Sequence, residues 1–163
     1  MFSAFAIANF FIQKSLEDKR DLSPMKLQKL VYFAHGWHLA MYKKPLIDEI
    51  VEAWKFGPVI PSLYNEFKSY GNSNINKLYQ DFWGYVPKIE NQEIIKFLEF
   101  IWDLYAEFSA IQLSNATHEA GSPWYQTVTP YLKNQGFIPK NKDIDDEVIA
   151  AFFSEKLNAI GAQ

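Results

Sequence analysis

A chain of 163 residues with 48% hydrophobic and 21% charged side chains has the composition of one globular domain, which excludes a disordered protein. The net charge of −3 argues against general nucleic-acid binding, which needs a basic surface, and the absence of cysteine excludes disulfides and thiolate chemistry. Aromatic side chains make up 17% of the residues, and any that the core leaves exposed would mark a binding surface.

The N-terminal segment, residues 2–16, is predicted to form an amphipathic helix. It does not fit a signal sequence, because no basic residue precedes it and Asn9 interrupts its apolar run. It is also too short to cross a bilayer. We therefore expect a cytoplasmic protein that makes no membrane contact. A charged turn follows at residues 17–21.

Residues 23–42 are predicted to form a buried central helix. Ser23 is a good N-cap, Pro24 suits the first helical position, and Pro45 prevents the helix from continuing. Apolar side chains cover nearly the whole circumference of this helix. A helix with that pattern is buried on all sides, so the other elements should pack around it.

The rest of the chain predicts further helices and a short ribbon. A strand at about 51–56 ends at Gly57-Pro58, and Pro61 opens a helix over 62–70. Three more helices are predicted, over 91–107, from Ser109 to about 121, and over 144–159. The second begins with a capping box, and acidic residues at the start of the third suit the helix dipole. Residues 122–126 are predicted to form a turn or a single helical turn. The stretch after them is predicted to be irregular, because Pro130, Gly136 and Pro139 interrupt it, with room for a short strand at 137–138.

The predicted fold class is therefore mainly α. We expect one compact domain, residues 1–163, in which about six helices surround the buried central helix, together with a short β-hairpin or ribbon.

The loop over residues 72–88 is polar yet unusually rich in aromatic side chains. A linker does not need so many large apolar groups, so two explanations stay open: the loop folds back onto the core, or it faces a partner. The aromatic residues concerned are Tyr79, Phe82, Trp83 and Tyr85.

Three histidines offer the first candidate chemistry. His35 and His38 lie one helical turn apart, and His118, beside Glu119, could supply a third metal ligand. The pair does not form an HExxH motif, however. The favoured interpretation is a hydrogen-bonded core histidine at 38 and a helix-end partner at 118, without a metal.

Other candidate sites are equally weak. Ser114, Thr117 and Ser122 lie near His118, but no GxSxG elbow marks an activated hydroxyl, and local capping explains these residues better. The acidic residues over 143–147 lack the spacing of an EF-hand loop and suit a helix start. No P-loop or GxGxxG motif is present. The residues alone therefore favour a binding module without a cofactor over an enzyme.

Three segments together resemble the Panacea domain of SocA-like antitoxins, also known as phage-associated GepA-like proteins. They are LQKLVYFAHGWHLA at 27–40, EAWKFGPVIPSLYNEFKSYG at 52–71 and LSNATHEAGSPW at 113–124. The GPVxP pattern that begins at Gly57, with Trp54 ahead of it, is the most specific feature.

The resemblance implies a bacterial or prophage antitoxin that neutralises a cognate toxin by direct protein contact. It also implies an alternative, because the family includes adaptors that deliver the toxin to a cytoplasmic protease. Some members bind DNA through an added helix-turn-helix, which this chain does not show, so DNA binding is not expected. A third hypothesis, from a different class, is a metal-dependent enzyme that uses the three histidines.

The family motif maps onto three groups of positions, which we interpret as structural. We expect Gly57 and Pro58 to fix a turn, the tryptophans to pack, and His38 or His118 to bond Glu52 or a backbone carbonyl across the core. Because the toxins of this family are diverse, contact residues should vary, and the motif itself need not touch the partner. The aromatic loop is the predicted toxin-binding site, since aromatic side chains are typical anchors of an interface. The motif positions are Tyr32, His35, Trp37, His38, Glu52, Trp54, Gly57, Pro58, Pro61, Tyr64, Thr117, His118, Pro123 and Trp124.

Overall fold

The computed structural model describes residues 1–161, and in that range the chain folds into seven α-helices and one two-stranded antiparallel sheet. This confirms the mainly α fold with a short hairpin. A 3-10 turn, Lys68–Tyr70, extends the third helix. The elements in chain order are α1 (Ala4–Asp18), α2 (Pro24–Tyr42), β1 (Glu52–Trp54), β2 (Gly57–Val59), α3 (Pro61–Phe67), α4 (Gln92–Tyr105), α5 (Ala110–Thr117), α6 (Pro123–Gln135) and α7 (Asp146–Gly161).

The central helix, α2, is buried as its sequence predicts. The Ser23 side chain accepts a hydrogen bond from the backbone N–H of Lys26, and Pro24 occupies the first turn. Every residue from Lys26 to Ala40 is buried, because α1, α3, α4, α5, α7 and the hairpin all pack against this helix. The helix ends at Lys43, which adopts a left-handed conformation.

The most extensive helix contact joins α2 to α7. Phe153 of α7 is 1% exposed, and its ring lies edge-on to Trp37, with the ring centroids 5.2 Å apart. Gly36 provides the space for this ring, because it has no side chain. His35 also contacts the start of α7, where its Nε2 lies 2.8 Å from the carboxylate of Asp146.

The hairpin differs from the prediction in one respect. Gly57 and Pro58 do not end the strand structure but form β2, which pairs with β1 in the register Glu52↔Val59. Strand β2 can begin at residue 57 because the φ of +110° at this position is one that glycine adopts without strain. The turn between the strands consists of residues 55–56.

The short strand expected at 137–138 is wrong, and the extended pairing occurs a few residues later. The N–H of Ile144 donates to the carbonyl of Val51 (2.8 Å), and the N–H of Ala53 donates to the carbonyl of Lys142 (2.7 Å). Ile144 is buried in the core, whereas Phe137 is 61% exposed. Burial of Ile144 therefore favours backbone pairing at residues 142–144 over pairing at residues 137–138. Because residues 142–144 pair in this way, α7 begins at Asp146 and not at the predicted residue 144.

Residues 123–135 form a helix, α6, where a turn and irregular chain were predicted. Ser122 caps its N-terminus, Pro123 occupies the first turn, and Gly136 stops it in a left-handed conformation (φ +79°). Pro130 lies inside α6 and cannot donate to the carbonyl of Gln126. Both residues are exposed, so water can take the place of the missing donor.

The N-terminal helix α1 is confirmed, with its N-cap at Ser3. The chain before it is fixed by backbone pairing of Phe2 with Ile47. Within residues 1–161, none of the helices combines the length and the apolar character that crossing a bilayer requires.

Candidate protein-binding site

The aromatic loop, residues 79–85, ends in a tight turn built by Asp81. Its carboxylate Oδ1 accepts hydrogen bonds from the backbone N–H groups of Trp83 and Tyr85, both at 2.9 Å. The backbone N–H of Asp81 donates to the carbonyl of Tyr85 (2.9 Å), and the N–H of Gly84 donates to the carbonyl of Asp81 (3.0 Å). Gly84 has a φ of +82°, which favours glycine. The tip therefore has one defined shape.

This turn presents two large aromatic side chains to solvent. Phe82 is 94% exposed and Trp83 is 86% exposed, while Tyr85 beside them is 62% exposed. The Phe82 and Trp83 rings meet edge-on with their centroids 5.8 Å apart. Adjacent, exposed aromatic side chains on a defined turn are typical of a protein-binding surface.

The base of the loop, by contrast, folds back onto the core. Tyr79 is half-buried and its ring stacks on Phe5 at 3.9 Å. Asn9, which is 3% exposed, donates from Nδ2 to the carbonyls of Tyr79 (3.0 Å) and Pro87 (2.9 Å) and accepts from the N–H of Tyr79 (2.7 Å). The base of the loop therefore folds back onto the core, whereas its tip is exposed, so contact of the tip with a partner stays a prediction.

A second cluster, formed by the family motif, holds the hairpin on α2. Two polar residues of α2 that the sequence reasoning missed contact the hairpin and the residue that directly follows it. Gln28 donates to the carbonyl of Ile60 and accepts from its N–H, both at 2.9 Å. The Lys29 Nζ donates to the carbonyls of Pro58 (3.0 Å) and Phe56 (3.3 Å). Burial lowers the pKa of Lys29 to about 8.

The late motif segment holds the outer strand of the hairpin. The Trp124 Nε1 donates to the carbonyl of Trp54 (2.7 Å), and His118 packs on the Trp124 ring at 4.3 Å. A Cβ at Gly57 would lie 2.8 Å from the Lys29 Nζ and 2.9 Å from the Thr117 Oγ1, so only glycine fits there. Trp54, His118 and Trp124 of the motif thus contact one another, and Gly57 lies against Thr117.

The three histidines bond separate partners. His35 accepts at Nδ1 from the N–H of Leu46 (3.3 Å), and its Nε2 faces Asp146. The Nδ1 of His38 lies 2.6 Å from the carbonyl of Lys44, and burial is the main cause that lowers its pKa. The Nδ1 of His118 lies 2.7 Å from the carbonyl of Ser114.

His38 and His118 therefore each bond a backbone carbonyl, but that carbonyl lies six and four residues away along the chain and not across the core. Neither ring bonds Glu52, the alternative partner, whose carboxylate accepts from the Trp54 Nε1 at 2.8 Å. Among the described residues, no three His, Asp or Glu side chains are grouped so that they could hold a metal ion.

The candidate hydroxyl nucleophiles also make local bonds. Thr117 donates to the carbonyl of Ser114 (2.6 Å), and Ser122 donates to the carbonyl of Thr117 (2.9 Å). Ser122 in addition caps α6. Capping of helix ends, as expected from the sequence, explains these contacts.

Comparison with known proteins identifies the family. The family model described as antitoxin SocA-like, Panacea domain, matches residues 27–125, which run from α2 to the start of α6. Antitoxin SocA of Caulobacter vibrioides (strain NA1000 / CB15N) is 35% identical over 127 residues, which cover 74% of this chain and 68% of that protein. No solved structure matches the chain. The chain therefore belongs to the SocA-like antitoxins of the Panacea domain family.

Proposed function

We propose that this protein is an antitoxin that neutralises a cognate toxin by binding it directly, as a single domain that acts in the cytoplasm. Its membership of the SocA-like family supports the antitoxin role. The contact site is the aromatic loop, with Phe82, Trp83 and Tyr85 as contact residues and Tyr79 at its base. The proposal assigns the chain no enzymatic activity, metal or cofactor.

The observation that carries the proposal is the exposure of Phe82 and Trp83, at 94% and 86%, on a turn that the Asp81 carboxylate fixes. Aromatic anchors of this kind dominate the binding energy of protein interfaces. A turn that is already ordered loses little conformational entropy on binding, which favours affinity. The net charge of −3 also suits a basic toxin, because opposite charges speed association.

The first experiment is co-expression with the reading frame next to the gene of this protein. Neutralisation predicts that the neighbour alone arrests growth, and that this protein restores growth and co-purifies with it. If growth returns while the neighbour's product disappears from the lysate, delivery to a protease replaces occlusion as the mechanism. A neighbour that does not affect growth removes the support for an antitoxin role of this chain with that partner.

The second experiment locates the contact. Trp83→Ala should weaken toxin binding by roughly 2–4 kcal/mol, which is about 30-fold or more, in a calorimetric titration. The melting temperature should not change, because the Trp83 side chain packs mainly on Phe82 at the surface. Phe100→Ala is the matched control, since Phe100 is 49% exposed on α4. Unchanged affinity of the Trp83 variant would remove the loop from the interface.

A further inference from the structure

A groove lies between the start of α2, the turn of the hairpin and α3, and its volume is about 500 Å³. Its rim carries three exposed apolar side chains: Met25 at 41%, Phe56 at 66% and Tyr64 at 42%. Buried side chains of α3, Leu63 and Phe67, also line the groove. None of residues 79–85 lines it, so this surface is distinct from the aromatic loop.

The charge of the groove is opposite to that of the chain. Lys29, Lys55 and Lys68 line it, and its lining includes no acidic side chain, although the whole chain has a net charge of −3. None of these lysines takes part in an ion pair within residues 1–161. Lys29 is 2% exposed and bonds only backbone carbonyls, so its positive charge has no nearby negative charge to balance it.

We propose that this groove binds a segment of a partner protein that combines an apolar side chain with carboxylates. The apolar side chain would pack among Met25, Phe56 and Tyr64, where the flexible methionine adapts to its shape. The carboxylates would face Lys55 and Lys68, since opposite charges across an interface select the partner. This inference is independent of the proposed function, because it involves none of the aromatic loop residues.

A random peptide library displayed on phage and selected on the purified full-length chain tests the proposal. The enriched peptides should contain Asp or Glu next to Leu, Phe or Trp. Their binding should weaken as salt rises, because screening reduces the attraction between the lysines and the carboxylates. In fluorescence polarisation, the double variant Lys55→Glu, Lys68→Glu should bind the best peptide at least roughly tenfold more weakly.

Two controls make the outcome decisive. Lys96→Glu combined with Lys133→Glu changes the net charge by the same amount on α4 and α6, away from the groove, and should leave the affinity unchanged. Trp83→Ala should also leave it unchanged, because this change alters only the aromatic loop. The proposal is overturned if no peptide is enriched, if the peptides are basic, or if the two double variants lose affinity equally. Loss of peptide binding in the Trp83 variant alone would assign the peptides to the aromatic loop and likewise overturn it.

Discussion

The contact between Gly36 and Phe153 provides a sharp test of how α2 and α7 pack. A Cβ at Gly36 would lie 2.5 Å from Cδ2 and 2.7 Å from Cζ of Phe153, and closer still to Cε2. The Phe153 ring is 1% exposed and is surrounded by other rings, with Tyr32 at 6.0 Å and Trp37 at 5.2 Å. It therefore has no free space into which it could turn away from an added methyl group.

Gly36→Ala should destabilise the protein. Two opposing effects decide the magnitude: alanine gains about 1 kcal/mol over glycine inside a helix, while overpacking a core costs about 1–3 kcal/mol. Because three ring atoms would lie closer than 3.0 Å to the new methyl group, the upper end of that range applies. The net loss is then about 1–2 kcal/mol, which lowers the melting temperature of a chain of this length by about 2–8 °C.

Thermal unfolding followed by circular dichroism measures this change, and Phe153→Leu supplies the control. In the Phe153→Leu background the methyl group of Gly36→Ala should be tolerated, so the two changes should show a coupling of about 0.5–3 kcal/mol in a double-mutant cycle. A melting temperature equal to or higher than that of the wild type, or additive effects, would refute the packing described for α2 and α7.

Three further predictions concern the polar groups. Lys29→Met removes an ammonium whose pKa falls from 10.5 to about 8 on folding. The unfolded wild type binds more protons between these pH values, so its stability relative to the variant should rise with pH, by about 2 kcal/mol from about pH 7.5 to about pH 9.5 in urea titrations. A flat or falling difference would contradict this. Asp81→Ala should weaken toxin binding roughly tenfold by disordering the turn, whereas Asp81→Asn, which keeps the acceptor oxygen, should not. Asn9→Ala should accelerate hydrogen exchange of the Tyr79 amide, while the Ile101 amide in α4 keeps its rate.

Helix starts were the most predictable part of the fold. The Ser23-Pro24 cap and the capping box of Ser109 and Gln112 depend on contacts between residues three apart, which a sequence displays directly. The helix α6 carries the same Ser-Pro start at Ser122, but Pro130 inside it is, by sequence alone, a signal of irregular chain. Pro130 is tolerated inside α6 because it is exposed, and water can bond the carbonyl that lacks a donor. Whether a residue is exposed depends on the fold, which the local sequence does not display.

The contacts of Gln28 and Lys29 with the hairpin segment could not be predicted in the same way. Gln28 and Lys29 meet the backbone of Ile60, Phe56 and Pro58 about thirty positions later in the chain, as their sequence separations of 27 to 32 show. Their signal was present as a group of polar residues, with Lys26 beside them, near the start of a helix that is otherwise apolar on nearly every side. Polar side chains in a buried helix need hydrogen-bond partners, and here backbone groups of a distant segment provide them.

Substitutions of the buried polar residues and of the exposed aromatic residues should affect stability very differently. Removing Gln28 would leave the buried N–H of Ile60 without its partner, which costs roughly 1–3 kcal/mol, while the carbonyl of Ile60 would keep only the hydrogen bond from the N–H of Tyr64. Substituting an exposed side chain such as Phe82 or Phe56 changes stability by only about 0.5 kcal/mol. The hairpin and the aromatic loop can therefore present different side chains without loss of the fold. Such a scaffold can acquire new partners by changing its surface alone, provided that the buried contacts beneath it are kept.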